Sequence, residues 1–385
     1  PRLCTPGTAR CLGEDHGEIC NEEAFWEQFE CGENQLCWGG ECGNIGTCEP
    51  NWVEFCIGYT RYQGCNPLGT GYGEFDVDFN LTCIEDEEGA RLVPRTCIDG
   101  ETMCQDEQVL LACADSGLEF EYSTNCFEDD ETTLCDDGAC VTLCQFIEKK
   151  ETYVGCEYWA VDLDNAFLTG SAGIPLDAYF SQFAVSISNP GDTLVAEVKI
   201  ETYDEILAIG DVHPGEMSVF LLPPSSIEGT MIGYEGYRIT STVPIVAYQF
   251  NPLENELVYS NDASLLLPTS SLGTEYFVMT RRQTWDVLKT SVTIVATQDG
   301  TTNIDLTLVD YTDENPLITL AGPDTPPYEG GDQISVTLEQ FEVFNLESNN
   351  PGSDFTGTHI ESDRPVAVFG GSEASNAPNN DSCIY

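Results

Sequence analysis

Cysteine placement constrains this chain more than any other feature. Of its 19 cysteines, eighteen fall between Cys4 and Cys156, and the nineteenth is Cys383. This density marks a scaffold stapled by disulfides rather than one held by a large apolar core. Because the reducing cytosol keeps such thiols reduced, the sequence predicts a secreted or cell-surface protein.

Zinc binding is the alternative interpretation of the cysteines, and the sequence disfavours it. Structural zinc is held by tight cysteine or histidine pairs. The chain contains no Cys-x-x-Cys pair and only three histidines, His16, His213 and His359. The cysteines are therefore predicted to be disulfide staples.

The cysteine spacing reveals a repeat. The cysteines group as Cys4, Cys11, Cys20, Cys31, Cys37 and Cys42; Cys48, Cys56, Cys65 and Cys83; Cys97, Cys104, Cys113, Cys126, Cys135 and Cys140; and the pair Cys144 and Cys156. The first and third groups share their spacing, with Gly40 and Gly138 inside the closing loop, and the second group is a degenerate copy. The eighteen cysteines can form nine bridges, but spacing alone leaves their connectivity open.

Beyond the cysteines, alternating apolar and polar residues predict β-strands. Val185–Thr193 matches Ile294–Thr302, and Ile239–Tyr248 matches Ile360–Phe369, so this part is duplicated. The extra residues of the second copy are expected around Gly322 to Tyr328. The predicted fold class is mostly β, with disulfide-rich N-terminal repeats followed by two tandem β-sandwich domains.

The domain boundaries follow from these two repeats. We expect cysteine-rich repeats at 1–47, 48–96 (degenerate) and 97–156 (with the junction pair), and a first sandwich at 157–255. A connector at 256–290 and a second sandwich at 291–385, expected to be incomplete at its C-terminus, follow.

Charge excludes whole classes of partner. The chain has 67 acidic residues against 13 Lys and Arg, a formal net charge of −54. Nucleic acid is excluded because phosphate binding needs a basic face, and anionic membranes are disfavoured for the same reason. A saline environment, or local binding of divalent cations, would account for the acidity.

Several motifs resemble the IgG Fc-binding protein N-terminal domain family, most closely its bacterial, myxobacterial-type branch. They are Tyr153–Asn165, Ala247–Leu253, Tyr259–Pro268, Val343–Ser348, Phe355–Ile360 and Arg364–Ser372. The resemblance spans about residues 150–385 and implies an extracellular, surface-associated or mucus-associated protein. The animal relatives bind immunoglobulin Fc, but fold analogy does not transfer a partner.

The chemistry of the sequence favours calcium over catalysis. No Gly-x-Ser-x-Gly, His-Glu-x-x-His or phosphate-loop motif is present, so we predict that the protein is not an enzyme. Asp162, Asp164 and Asp262 are candidate calcium ligands, since calcium prefers carboxylate oxygens. The alternative is that these side chains bind turn amides.

Two non-enzymatic functions remain. The first is a subunit of an extracellular fibre, stalk or matrix that self-associates through its β domains, with Cys383 available for an intermolecular bond. The second is an adhesin for glycans or glycoproteins, in which Tyr72, Tyr234 and Tyr237, expected in Gly-rich loops, stack on sugars if they are exposed. The alternative is that these tyrosines pack locally. No apolar run approaches the roughly 18 residues needed to span a bilayer.

Overall fold

The fold is mostly β and divides into two compact units. The structure, a computed structural model, describes residues 4–169, 173–225, 227–258, 261–311 and 316–374. Unit 1 comprises residues 1–130 and 134–140, and unit 2 comprises residues 131–133 and 141–385. Cys383 and the end of the predicted second sandwich lie outside the described residues.

Unit 1 is built from small sheets, as expected for short segments rich in turns. Its strands are β1 (Ala9–Cys11), β2 (His16–Cys20), β3 (Trp26–Glu30), β4 (Gln35–Trp38), β5 (Glu41–Asn44), β6 (Val53–Cys56), β7 (Arg61–Cys65), β8 (Tyr72–Asp76), β9 (Leu81–Asp86), β10 (Gly89–Pro94), β11 (Thr102–Cys104), β12 (Val109–Cys113), β13 (Phe120–Asn125), β14 (Thr133–Asp136) and β15 (Ala139–Thr142). The helix α1 (Cys126–Asp129) follows β13. Each cysteine group forms one three-stranded sheet (β1-β2-β3, β6-β7-β8 or β11-β12-β13) and one hairpin (β4-β5, β9-β10 or β14-β15).

The disulfides give the connectivity that spacing left open. The pairs are Cys4–Cys20, Cys11–Cys37, Cys31–Cys42, Cys48–Cys65, Cys56–Cys83, Cys97–Cys113, Cys104–Cys135 and Cys126–Cys140 in unit 1, and Cys144–Cys156 in unit 2. In both complete repeats the first cysteine joins the third, the second joins the fifth, and the fourth joins the sixth. All eighteen N-terminal cysteines are paired, which confirms the disulfide-rich N-terminal region.

The glycines in the closing loops of the two complete repeats are required for steric reasons. Gly40 (φ 93°) and Gly138 (φ 76°) adopt the left-handed conformation that suits glycine. A Cβ on Gly40 would lie 2.7 Å from the Ala9 carbonyl, and one on Gly138 would lie 2.6 Å from the Thr102 carbonyl. The hairpin of each repeat therefore packs directly on the backbone of that repeat's first strand.

Unit 2 contains the longer strands. They are β16 (Gly155–Val161), β17 (Phe167–Thr169), β18 (Pro175–Asp177), β19 (Phe183–Ser188), β20 (Ala196–Glu201), β21 (Ile206–Val212), β22 (Met217–Leu222), β23 (Met231–Gly233), β24 (Gly236–Asn251), β25 (Asp262–Leu265), β26 (Glu275–Phe277), β27 (Thr290–Ala296), β28 (Thr301–Thr307), β29 (Gln333–Glu339), β30 (Val343–Glu347), β31 (His359–Ser362) and β32 (Val366–Ser372). The helix α2 (Leu143–Glu148) precedes β16, and a short 3-10 turn (Thr269–Ser271) follows β25.

The first sandwich is organised around one long strand. The first half of β24 pairs with β16 and β20, and β21 extends that sheet. The second half of β24 pairs with β19 and β25, and β22 extends that sheet. Side chains from both sheets meet in a dry core that includes Tyr158, Ile200, Phe183 and Leu222.

The second sandwich repeats this topology. One sheet has the order β23-β30-β27-β32, and the other has the order β26-β31-β28-β29. Here β31 and β32 take the places of the two halves of β24. Between β28 and β29 lies the segment that contains Gly322 and Tyr328, whereas only residues 202–205 separate β20 from β21. The segment predicted as a connector, 256–290, contributes β25 to the first sandwich and β26 to the second.

A tyrosine marks the same corner in both sandwiches. Tyr158 in β16 donates its hydroxyl to the carbonyl of Ile245, and Tyr276 in β26 donates to the carbonyl of Val366 at 2.8 Å. The surrounding sequences, Gly155-Cys-Glu-Tyr-Trp and Gly273-Thr-Glu-Tyr-Phe, also match. Thus β16 and β26 are corresponding strands.

Candidate functional site

The first sandwich covers one outer face of the second. Trp159 and Val161, at the end of β16, are buried against Val295, Val343 and Ala367, which point outward from β27, β30 and β32. Trp159 also meets the ring of Phe341 edge-on, with 4.8 Å between ring centroids. This contact joins the two sandwiches through an apolar interface.

Carboxylates converge farther along the same face. Oxygens of Asp164, Glu347 and Glu373 lie within 4.8 Å of one another, the one such group of three found among the described residues. Glu347 accepts the Gly229 amide at 2.6 Å, and Glu373 accepts the Lys289 amide at 2.8 Å. These amides help to hold the two glutamate carboxylates beside Asp164.

Burial shifts the protonation of this cluster. Loss of hydration raises the pKa of the Asp164 carboxyl, and the neighbouring Glu347 and Glu373 raise it further. Burial likewise raises the pKa of Glu347. It raises the pKa of Glu373 to about 7, because burial outweighs the stabilising Lys289 amide. The cluster therefore holds protons near neutral pH.

A cavity of about 660 Å³ opens beside the carboxylates. Besides the three clustered acids, it is lined by Glu228, Lys289 and the aromatic residues Phe167, Tyr179 and Phe180. Phe180 is exposed, and its ring packs edge-on against Tyr179, with centroids 4.6 Å apart. Aromatic faces next to hydrogen-bonding carboxyls suit a ligand with both apolar faces and hydroxyl or cationic groups.

The three predicted calcium ligands do not form one set. Asp162 is buried, and its carboxylate accepts the Ser225 amide at 2.8 Å. Asp262 is exposed on β25 and lines a separate cavity of about 470 Å³ that also borders Asp164. Of the three, only Asp164 belongs to the convergent group, so calcium binding stays a prediction.

The aromatic residues proposed for sugar stacking are placed differently from the expectation. Tyr237 lies in the core of the first sandwich, so the prediction that it contacts a ligand is wrong. Tyr234 packs against Tyr203 and donates to Glu339 at 2.7 Å. Tyr72 is exposed but packs edge-on against Trp52. The aromatic residues that line a cavity, Phe167, Tyr179 and Phe180, were not predicted because their sequence carries no motif.

The first sandwich has an outer face without charge, which we call the uncharged face. In the sheet β22-β19-β24-β25 the strand registers place these residues on one side, away from the core: Met217, Val219, Leu221, Ala184, Ser186, Ser188, Val246, Tyr248, Phe250, Ala263 and Leu265. Met217 is 65% exposed and Leu221 is 61% exposed. Ala184 and Ser186, in the middle of the face, are buried. In a chain with 67 acidic residues, a sheet face without charge is unusual.

The opposite sheet of the same sandwich is different. Its outward side carries Arg238, which binds Glu157 with Nε 2.9 Å from Oε2, and Lys199, which lies 2.9 Å from Glu201. Charged side chains of this kind are typical of a solvent-exposed sheet face. The contrast shows that the uncharged face is specific to one sheet.

These features define a disulfide-stapled, mostly β protein with a duplicated sandwich. Residues 262–384 match the family described as IgGFc binding protein. This range is narrower than that of the resemblance and covers β25 and the strands β26 to β32. That family is not an enzyme family.

Other comparisons add little. No curated protein matches the chain significantly. The chain is similar to the secreted serine protease VesC from Vibrio cholerae, with 7% identity, a TM-score of 0.17, and coverage of 89% of this chain and 79% of that chain. A likeness this weak carries no argument. None of the helices in the described part of the chain is long and apolar enough to cross a membrane.

Proposed function

We propose that this chain is a non-enzymatic structural protein of the cell surface or extracellular matrix that self-associates through its first sandwich. The observation that carries the proposal is the uncharged face. Its strand β22 is also a sheet edge, because among the described residues it pairs with β19 alone. Sheet edges and apolar sheet faces are both surfaces on which further chains assemble.

The cysteine-rich unit fits the same role. Its eight bridges resist unfolding in an oxidising environment where a small unit cannot rely on a core. Unit 1 then acts as a stable spacer and unit 2 as the assembling part. We also propose that the chain belongs to the bacterial branch of the family, with its cysteine-rich modules. Cys383 is proposed to form an intermolecular disulfide bond.

Sedimentation velocity of the purified chain tests self-association. We expect the wild-type chain to form larger species, and the double variant Val219→Asp/Leu221→Asp to be monomeric. Two buried aspartates in an apolar interface weaken it by roughly 100-fold or more. The matched control is Ile209→Asp, since Ile209 is 72% exposed on the charged sheet. A wild-type chain that sediments as a monomer at all concentrations would rule out this function.

A glycan or glycoprotein ligand is the second candidate, favoured by the aromatic and carboxyl lining of the 660 Å³ cavity. The family match agrees with a ligand of the glycoprotein type. Screening immobilised glycans and mucin-type glycoproteins tests it. Phe180→Ala should lose binding, whereas Phe79→Ala, on an even more exposed ring in unit 1, should retain it. Binding that survives Phe180→Ala would place the ligand elsewhere.

A further inference from the structure

The two corresponding strands β16 and β26 differ in what covers them. From the shared Glu-Tyr sequence, Trp159 corresponds to Phe277, and Val161 corresponds to Met279. Trp159 and Val161 are buried under the second sandwich. Phe277 is 71% exposed and Met279 is 79% exposed. The second sandwich thus presents the corresponding pair of apolar side chains largely exposed.

The surfaces that receive these side chains also correspond. Trp159 and Val161 pack on the outward side of the sheet containing β30, β27 and β32. In the first sandwich the corresponding strands are β22, β19 and the second half of β24, whose outward side is the uncharged face. Among the described residues, the molecule therefore has one occupied contact between its sandwiches, one exposed donor (Phe277 and Met279) and one acceptor, the uncharged face, whose residues on β22 and β25 are exposed while Ala184 and Ser186 at its centre are buried.

We propose that a second copy of this chain occupies the acceptor: Phe277 and Met279 of one molecule dock on the uncharged face of the next. This inference rests on the proposed self-association and adds which surfaces meet. This contact between molecules uses the same kind of surfaces as the contact that joins the two sandwiches within one molecule. Because donor and acceptor are different surfaces, the contact is heterologous and builds open, head-to-tail chains unless the rotation closes a ring.

The donor strand is built to hold its ring in place. Phe277 stacks on His359 in β31, with 4.7 Å between ring centroids. His359 in turn lies with Nε2 3.0 Å from a Glu275 oxygen. A ring held in this way loses little conformational freedom on docking, which favours its use as an anchor.

Variants that disable one surface at a time test the pairing of donor and acceptor. The donor variant is Phe277→Asp/Met279→Asp, and the acceptor variant is Val219→Asp/Leu221→Asp; Phe79→Asp and Ile209→Asp are the controls for an exposed position. Each variant alone should sediment as a monomer at concentrations where the wild-type chain assembles. An equimolar mixture of the two should form a one-to-one complex that does not grow, because each partner retains one working surface. Formation of that complex also shows that both variants are folded.

Other outcomes distinguish failure of this head-to-tail inference from failure of the proposed self-association. If the acceptor variant is monomeric while the donor variant assembles like the wild type, the uncharged face pairs with another surface and the head-to-tail inference is overturned. If both variants assemble like the wild type, or the wild type never assembles, the proposed function fails as well. A mixture that stays monomeric contradicts the pairing of these two surfaces.

Discussion

The two sandwiches of unit 2 share a topology but differ in how their surfaces are used. The outer face of the second, at Val295 and Val343, is covered by Trp159 of the first. The corresponding face of the first sandwich is uncharged, with Met217 and Leu221 exposed, and Phe277 of the second sandwich is exposed as well. The proposed assembly rests on this difference between the two sandwiches. This comparison gives the following predictions.

Trp159→Ala and Phe277→Ala should differ most. Trp159 is buried, so its truncation should lower the free energy of unfolding by roughly 3–5 kcal/mol. Phe277 is exposed in the monomer, so Phe277→Ala should change it by less than about 0.5 kcal/mol. Urea unfolding at low protein concentration measures both. Equal losses would mean that Phe277 is covered within the molecule.

The next largest expected effect is the pH dependence of stability that the buried carboxyl of Glu373 produces on the covered face of the second sandwich. The pKa of Glu373 rises from 4.5 to about 7 on folding, so the folded state binds a proton more tightly than the unfolded state. Its contribution is fully present below about pH 4.5 and is lost as pH rises through about 7. That loss is roughly 2–3 kcal/mol.

Thermal unfolding between pH 5 and pH 8 in EDTA measures this loss. The variant Glu373→Gln should flatten the fall in stability with rising pH. The matched control, Glu329→Gln, changes an exposed glutamate between β28 and β29 and should leave the pH profile as in the wild type. An unchanged profile for Glu373→Gln would show that this carboxyl titrates normally.

The corresponding tyrosines should behave alike. Tyr158→Phe and Tyr276→Phe each leave a backbone carbonyl without its hydroxyl donor. Each should lower the free energy of unfolding by about 1–2 kcal/mol, measured by urea unfolding. A loss for one variant and none for the other would break the structural correspondence of β16 and β26.

Salt should have the smallest effect, and it should act on assembly rather than on folding. At a net charge of −54, copies repel one another. Shortening the Debye length from about 10 Å at 0.1 M to about 3 Å at 1 M should therefore strengthen association several-fold. Light scattering across this range measures the change. Association that weakens with salt would point to ion pairs instead of an apolar contact.

Much of the fold could be predicted because its signals are local. Cysteine spacing marks the repeats, and alternation marks the strands. The disulfide connectivity could not be predicted, since several pairings fit one spacing. The correspondence of Gly155-Cys-Glu-Tyr-Trp with Gly273-Thr-Glu-Tyr-Phe was visible in the sequence and would have aligned the two sandwiches at their first strands.

The sites were harder to predict because they depend on register and on contacts distant in sequence. Asp164 meets Glu347 and Glu373 only after both sandwiches fold and pack. Tyr237 lies next to Gly236 in the sequence, which suggested a loop, but it belongs to β24 and points into the core. The uncharged face appears only when four strands are placed side by side, since no single strand shows it.

Sedimentation velocity of the wild-type chain over a wide concentration series, at high salt, tests the central claim most directly. Head-to-tail assembly predicts a weight-average sedimentation coefficient that keeps rising with concentration and does not level off at a dimer. A single monomeric species, with the same coefficient at every concentration, would contradict assembly through the uncharged face.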